Sequence, residues 1–231
     1  MKIFAIESSA KAASVALCEY DVLIAQYFQN SGLTHSRTLL KMAEDLLKNI
    51  GLTVQELDLV AVASGPGSFT GIRIGVSAAI GLAWGADKQV CGVSTLEAMA
   101  HHIQEPDFII CPVMDARRQQ VYNALFEYKD GSIVRLAPDR ALSVMDLIAE
   151  AESHEKPYML LGDGSQMCYN AFLESGITVR LAAPLLRLQT AWGVACASIS
   201  APNVSPNALQ PNYLRVSQAE RERTEKTGQA G

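Results

Sequence analysis

One stretch of the chain constrains its fold more than any other, the run DLVAVASGPGSFTGIRIGVSAAIGLAWG from Asp58 to Gly85. Its first residues, 58–64, are apolar and β-branched and predict a buried strand. Gly65-Pro66-Gly67 then predicts a turn with positive φ angles, and Ser68 or Thr70 is placed to cap the helix that follows. That helix is apolar and small on every side, which is typical of a buried helix whose backbone packs closely against a neighbour.

A strand, a glycine turn and a helix N-terminus are also the parts from which phosphate sites are built. The same pattern fits a tight strand-to-helix turn that holds no ligand, so the local pattern leaves both interpretations open. Neither the Walker pattern with Lys-Ser/Thr nor a GxGxxG run after a strand is present.

Composition excludes several classes of function. The 231 residues carry a net charge of −5, so the surface as a whole offers no basic field for unaided binding of nucleic acid. No run approaches the roughly 20 apolar residues of a membrane span, and the N-terminus does not read as a signal peptide. The five cysteines are scattered and odd in number, which predicts buried free thiols of a reducing cytoplasm.

The chain shows one order of elements twice: three strands, a helix, a strand, a glycine turn and a helix. The first copy begins with predicted strands at 2–7, 13–19 and 22–28. We place the boundary near residues 103–107 and predict an N-terminal unit of 1–103, a C-terminal unit of 104–216 and a flexible tail of 217–231. An apolar helix at 186–200 is expected to pack on one of the two units.

The helix predicted from His35 to Ile50 has an unusually wide apolar face. At about 100° per residue its apolar positions cover an arc of roughly 160°, whereas a stripe of about 100° is enough for a helix lying on one core. The excess is expected to face a partner helix or a neighbouring segment of the chain. These apolar positions are Leu39, Leu40, Met42, Ala43, Leu46, Leu47 and Ile50.

Two tandem copies of this order resemble the α/β actin-like ATPase fold (ASKHA, ribonuclease H-like) of sugar kinases and acetate kinase. Specific segments are similar to the TsaB (YeaZ) family of tRNA threonylcarbamoyladenosine biosynthesis, and GPGSFTGIRIG is the most specific of them. The resemblance covers Met1 to Arg215. The segments are IFAIESSAKAASVAL, HSRTLL, ASGPGSFTGIRIGVSAAIGLA, PVMDARRQQVY and PNYLR.

This resemblance implies a non-catalytic scaffold that dimerises with the paralogue TsaD and is required for N6-threonylcarbamoyladenosine at position 37 of tRNA. It implies TsaE as a further partner, with TsaC as another candidate, a homodimer when TsaD is absent, and contact with tRNA only through the complex. ATP or ADP and metal are expected in TsaD or at the shared interface. The partner interface is expected on the His35–Ile50 helix together with Arg73, Val76 and Ile80 of the glycine-rich helix.

No metal and no tightly bound cofactor is expected in this chain. TsaD holds its metal with an HxxxH helix motif, and none of His35, His101, His102 and His154 is followed by a histidine four residues later. A vestigial nucleotide site would lie in a cleft between the halves, but its hairpin tip lacks the glycine of actin-like kinases. The residues of that candidate site are Glu7, Ser8, Ser9, Gly65, Gly67, Gly162, Asp163 and Gly164.

Two enzymatic alternatives remain. One is a small-molecule kinase of the same fold, and the other is a glycopeptidase-like protease. No nucleophile–base arrangement supports a protease, since Ser68 lies in a glycine turn without the GxSxG spacing.

Overall fold

Two five-stranded sheets, one from each half of the chain, organise the computed structural model, which describes residues 1–215. The first sheet contains β1 (Lys2–Glu7), β2 (Ala13–Glu19), β3 (Val22–Gln29), β4 (Leu59–Gly65) and β5 (Gln89–Ser94). The second contains β6 (Ile109–Asp115), β7 (Gln120–Lys129), β8 (Ser132–Ser143), β9 (Tyr158–Leu161) and β10 (Val179–Leu181).

The two sheets have the same topology. Their strand orders are β3-β2-β1-β4-β5 and, read from the matching edge, β8-β7-β6-β9-β10. In each sheet the first three strands pair antiparallel, and the fourth and fifth run parallel to the first. The duplicated architecture predicted from the order of elements is therefore confirmed.

Seven α-helices of the described residues cover these sheets. They are α1 (His35–Asn49), α2 (Phe69–Ala86), α3 (Thr95–Ala100), α4 (Val144–Ala151), α5 (Ser165–Glu174), α6 (Pro184–Arg187) and α7 (Ala191–Ser198). Short 3-10 turns lie at Val54–Glu56 and Pro206–Ala208.

Alternating residues of the first sheet pack on two different cores, as the period of a strand requires. Phe4 and Ile6 face α1 and α2, whereas Ile3 and Ala5 face α3 and α7. In the second sheet one face packs on α4 and α5. Its other face packs on α3 and the residues that follow it, so α3 joins the two halves through an apolar core.

The apolar segment predicted as one helix at 186–200 is broken into α6 and α7. Residues Leu188 and Thr190 are extended, and the buried ring of His102 contacts both sides of the break, at Leu186 O (3.0 Å) and Thr190 Oγ1 (2.9 Å). The single-helix prediction is wrong because this stabilising contact comes from a residue far away in the sequence.

The chain returns to the first half after this break. Helix α7 packs on β1, β2 and β4, and Val204 forms a bridge with Val90 on β5. Part of the predicted unit 104–216 thus packs on the first sheet, while the boundary near residue 103 stays a prediction. The predicted flexible tail, 217–231, lies outside the described residues.

Helix α2 is long and apolar enough to cross a membrane by length and composition alone, and a core helix of a soluble protein passes the same test. Here its buried side packs on β4 and β1.

Candidate functional site

A cleft of about 500 Å³ opens between the two halves. It is lined by hydroxyl, cationic, acidic and aromatic side chains together with the turn before α2. The lining residues are Ser9, Ala10, Lys11, Gly67, Ser68, Phe69, Thr70, Met114, Asp115, Ala116, Arg117, Tyr122, Asp163, Asn212, Tyr213, Leu214 and Arg215.

The first wall of the cleft is the hairpin between β1 and β2. The Ser9 amide donates to Glu7 Oε1 at 2.6 Å, and Ser8 Oγ donates to Gly71 O at 2.9 Å. Ser9 O accepts from the Ser68 amide at 2.6 Å. The Ser9 backbone and the Ser8 hydroxyl of this tip are therefore engaged with the protein itself, whereas Ser9 Oγ has no hydrogen-bond partner among the described residues.

The glycine turn after β4 behaves as predicted at its first position. Gly65 has a φ of +129°, a value that L side chains rarely adopt. A Cβ there would lie 2.2 Å from the carbonyl oxygen of Asn212, whose own amide donates to Ser64 O at 2.7 Å. Ser68 is confirmed as the N-cap of α2, because its side chain accepts from the Gly71 amide at 3.3 Å.

The second wall is the turn Gly162-Asp163-Gly164 after β9. The Gly162 amide donates to Arg187 O at 2.6 Å, and the Gly164 amide donates to Val113 O at 3.1 Å. Only Asp163 of this turn lines the cleft, and its Oδ1 accepts from Gln189 Nε2 at 3.3 Å.

The predicted nucleotide-site residues are thus brought to one junction, but only Ser9, Gly67 and Asp163 reach the cleft surface. A phosphate cradle needs backbone N–H groups that point at the ligand. In these turns the amides of Ser9, Ser68, Gly162 and Gly164 donate to the protein's own oxygens and do not point at a ligand.

The junction is acidic at its base. Burial raises the pKa of Glu7 from its ordinary 4.5 to about 7, against the lowering effect of the hydrogen bonds from Ser9, and Asp163 raises it further. Burial likewise raises the pKa of Asp163, with a contribution from Asp115. Glu7 is fully buried, and within residues 1–215 its Oε2 has no hydrogen-bond partner. Glu7 is thus a buried carboxyl behind the wall of the cleft, in a setting that favours its neutral form.

The histidines do not fit a metal site. Both ring nitrogens of His102 contact protein oxygens, and burial lowers its pKa to about 4. His35 Nε2 contacts Ala10 O at 2.7 Å. Among the described residues no group of three or more His, Cys, Asp or Glu side chains is placed to hold a metal ion.

A second concave surface, the helix groove, lies between α1, α2 and the segment 52–55 and has a volume of about 470 Å³. It is mostly apolar, with a polar rim. Its lining residues are Leu40, Ala43, Glu44, Leu47, Lys48, Leu52, Thr53, Val54, Gln55 and Leu82.

The predicted partner-facing arc of α1 is wrong in part. Leu39, Met42 and Leu46 lie in the core of the first half, where Leu39 and Leu46 are 1% and 0% exposed, so they cannot contact a partner. The physical reason is that α1 packs against β2, β3 and α2 together, so its own protomer covers a wider part of the apolar face than one sheet would. Val76 on α2 is buried in the same core.

The other predicted interface residues differ in exposure. Leu40 is 56% exposed on the rim of the helix groove, whereas Ala43 and Leu47 are buried in the core and contribute only to the floor of the groove. Arg73 is exposed on α2. Ile50 and Ile80 are half-buried at the edge of the core.

The prediction that α2 is buried on every side is also wrong. One side packs on the sheet, and the other, which we call the outer face of α2, is exposed at Arg73, Ser77, Gly81, Trp84 and Gly85. A Cβ added at Gly81 or Gly85 would meet nothing within 4 Å. These glycines are therefore not explained by packing inside the protomer.

The outer face of α2 continues into the end of the described chain. Arg73 Nε donates to Tyr213 Oη at 2.8 Å, and its guanidinium lies 3.8 Å from the centre of the Phe69 ring. Phe69 and Tyr213 are stacked with their ring centres 4.7 Å apart. No local pattern predicts this contact, because the two residues lie 140 positions apart in the sequence.

Comparison with known proteins gives consistent matches. The family model described as "TsaD: tRNA N6-adenosine threonylcarbamoyltransferase" matches residues 29–221. The TsaB protein of Bacillus subtilis, described as a tRNA threonylcarbamoyladenosine biosynthesis protein, is 35% identical over 72% of this chain and 73% of its own length. The TsaB protein of Escherichia coli is 30% identical over 93% of this chain and 95% of its own.

Solved structures match over nearly the whole chain. A Pseudomonas aeruginosa protein described as similar to peptidase YEAZ is 25% identical, with a TM-score of 0.75 over 93% of this chain and 99% of that one. The ethanolamine utilization protein EutJ of Carboxydothermus hydrogenoformans is 12% identical, with a TM-score of 0.50 over 85% of this chain and 90% of that one. The latter match shows a shared fold alone, and the predicted actin-like α/β fold with two tandem subdomains is confirmed.

Proposed function

Because this chain belongs to the TsaB (YeaZ) family of tRNA threonylcarbamoyladenosine biosynthesis proteins, we propose that it acts in that pathway as a non-catalytic scaffold that binds TsaD. In this proposal TsaD docks on the outer face of α2 and in the adjoining helix groove. The same surface forms a homodimer when TsaD is absent.

The observation that carries this proposal is the open outer face of α2. Glycine at a solvent-exposed helix position costs about 1 kcal/mol relative to alanine, and Gly81 and Gly85 have no neighbour inside the protomer that requires it. Small residues let a second helix approach closely, and the apolar groove beside them offers pockets for its side chains.

The electrostatics and hydrogen bonding of the cleft support a non-catalytic role. The amides of Ser9, Ser68, Gly162 and Gly164 are bonded internally, and Glu7, at the tip that holds the phosphate-approaching hairpin in actin-like kinases, is fully buried. The described histidines do not form a metal pair. ATP or ADP and the metal therefore belong in TsaD or at its interface with this chain.

The remaining partners follow from the complex. TsaE, and TsaC as a further candidate, join through TsaD, and tRNA is contacted through the complex. A chain of net charge −5 with five buried free thiols suits such work in the cytoplasm.

A Gly81→Leu variant tests the docking surface without disturbing the protomer. Its side chain enters open solvent, so the free energy of unfolding should rise by up to about 1 kcal/mol. Binding to TsaD, measured by pull-down and by titration calorimetry, should be lost because the added side chain holds the two helices apart. Gly81→Ala should retain most of the affinity.

Leucine variants provide the matched control. Leu40→Asp changes an exposed residue on the groove rim, and Leu173→Asp changes an exposed residue on α5 in the second half. The first should abolish co-elution with TsaD, and the second should not. Undiminished binding by both Gly81→Leu and Leu40→Asp would refute the docking surface, and failure of the wild-type chain to bind TsaD would refute the scaffold role.

A further inference from the structure

Strand β3 contributes no residue to the lining of the helix groove, so its outer edge lies apart from the docking surface proposed for TsaD. Strand β3 ends the first sheet, with β2 as its neighbour. Its eight residues, VLIAQYFQ, include no charged residue and no proline. An edge strand of this kind presents unpaired N–H and C=O groups to any extended segment that can pair with it.

The other sheet edges of the described chain are protected. Strand β5 is covered by a segment whose Val204 exchanges two backbone hydrogen bonds with Val90, at 3.0 and 2.8 Å. Strand β10 has only 3 residues. Strand β8 is long but carries Pro138 and the ion pair between Arg135 and Asp139. Charges, proline, bulges and short length are the usual protections of sheet edges. Strand β3 has only one of them, a single bulge at Ile24 near its beginning.

Exposed apolar side chains surround this edge. Val22, Leu23, Ile24 and Phe28 on β3 are 61%, 44%, 50% and 44% exposed. Tyr20 and Leu33, which flank the strand, are exposed as well. A cluster of exposed apolar residues beside free backbone groups indicates a surface that associates with another chain.

We propose that β3 pairs antiparallel with β3 of a second copy of this chain, so that two first sheets join into one continuous sheet about a two-fold axis. Identical edges are self-complementary in this arrangement, and the other described edges are too protected to serve as the partner strand. Glu19 and Asp21 lie at one end of β3, and Lys11 lies near the other, just before the residues that pair with Gln29. Antiparallel pairing therefore brings the acidic end of each copy towards the basic end of its partner.

The register of β2 and β3 indicates which residues pair. Leu17 lies opposite Ala25 and Cys18 opposite Leu23, so Ile24 is an extra residue in a bulge. A bulge disrupts the ladder locally, and the regular part of the strand runs from Ala25 to Gln29. Pairing is centred there, and the apolar residues around the bulge pack against the second copy.

The test uses the full chain with the Gly81→Leu change, because that variant removes association through the outer face of α2. Sedimentation over a series of protein concentrations should show a monomer–dimer equilibrium. Adding Phe28→Lys should lower the association constant by about tenfold or more, since like charges then face each other across the paired strands. Ile24→Lys, at an exposed bulge position, is a second variant that leaves the core intact.

The matched control places lysine on the protected edge. Val134→Lys on β8, where Val134 is 40% exposed, should leave the dimer unchanged. Amide hydrogen exchange gives a direct readout: β3 amides should become more protected as concentration rises, and β8 amides should not. A chain that stays monomeric, or a dimer that neither lysine variant weakens while β3 amides exchange at a constant rate, would overturn the proposal.

Discussion

The two sheets share one strand order, yet the turns after their fourth strands are covered by different parts of the chain. Gly65, at the end of β4, lies against the carbonyl of Asn212, which belongs to the last described segment. Gly162, after β9, lies against the carbonyl of Val113 on β6, in the middle of its own sheet. The turn of the first half is thus covered by a segment from outside its sheet, whereas the turn of the second half is covered by a strand of its own sheet.

The first strands of the two sheets, β1 and β6, also end differently. Strand β1 ends in Glu7, which is fully buried, whereas β6 ends in Asp115, which is exposed and accepts from the Arg117 amide at 2.7 Å. The helices differ too: α2 has 18 residues and an open outer face, and α5 has 10. A repeated topology fixes the backbone path, but it leaves each half free to specialise its turns and its outer surface.

Alanine at the two glycine turns gives the largest expected contrast. Both positions have a positive φ, but a Cβ at Gly162 would lie 2.1 Å from Val113 O, which the sheet holds in place. Gly162→Ala should therefore lower the free energy of unfolding by about 3 kcal/mol or more. Gly65→Ala should lower it by about 1 to 2 kcal/mol, because the segment that carries Asn212 can move away.

Urea denaturation measures both losses, and limited proteolysis near Tyr213 reports the release of the last segment in Gly65→Ala alone. Gly176→Ala is the control for φ strain without a clash, since its φ is +75° and nothing lies within 4 Å of the added Cβ. Equal losses for Gly65→Ala and Gly162→Ala would show that the two turns are held alike.

The buried carboxyl of Glu7, at the end of β1, predicts that the stability of the protein depends on pH. The pKa of Glu7 is raised from 4.5 to about 7 in the folded chain. Between pH 4.5 and pH 7, Glu7 is therefore protonated in the folded chain and ionised in the unfolded chain. Stability should therefore be highest below pH 4.5 with respect to this group and fall as the pH rises to 7, by about 3 kcal/mol in all.

Glu7→Gln should remove most of this fall, leaving the smaller contribution of Asp163, whose pKa is raised in the same direction. The free energy of unfolding, measured by urea denaturation at several pH values, checks the slope. Asp115→Asn is the matched control at the end of β6 and should keep most of the slope, losing only the part that Asp115 contributes through the raised pKa of Asp163. An unchanged slope in Glu7→Gln would mean that the buried carboxyl is not the titrating group.

Local patterns predicted most of the fold. The Ser68 cap, the positive φ at Gly65 and the bounds of the strands in the first half depend on neighbouring residues, and these predictions are confirmed. Strand β8 continues past Pro138 to Ser143, because pairing with β7 on both sides of the proline overrides this interruption.

The predicted interface shows where sequence reasoning ends. The periodicity of α1 identified every apolar position, but the width of an arc does not show how much of it the protomer covers. Leu46 and Leu40 belong to the same stripe, and only contacts with distant strands place the first in the core and the second on the groove rim. Exposure at Gly81 could not be predicted for the same reason, since a glycine-rich helix is apolar on every side.

The smallest expected effect concerns the segment around Tyr213, which covers the Gly65 turn of the first half and has no counterpart at the Gly162 turn. Tyr213→Phe removes the hydrogen bond from Arg73 Nε but keeps the ring that stacks on Phe69. Because this contact is partly exposed, the loss in free energy of unfolding should be about 0.5 to 1 kcal/mol. Tyr213→Ala also removes the stacking and should cost more, with Tyr169→Phe on α5 as the control for loss of a hydroxyl in the second half. A loss near 3 kcal/mol in Tyr213→Phe would show that this segment holds the first half's turn as firmly as β6 holds the second.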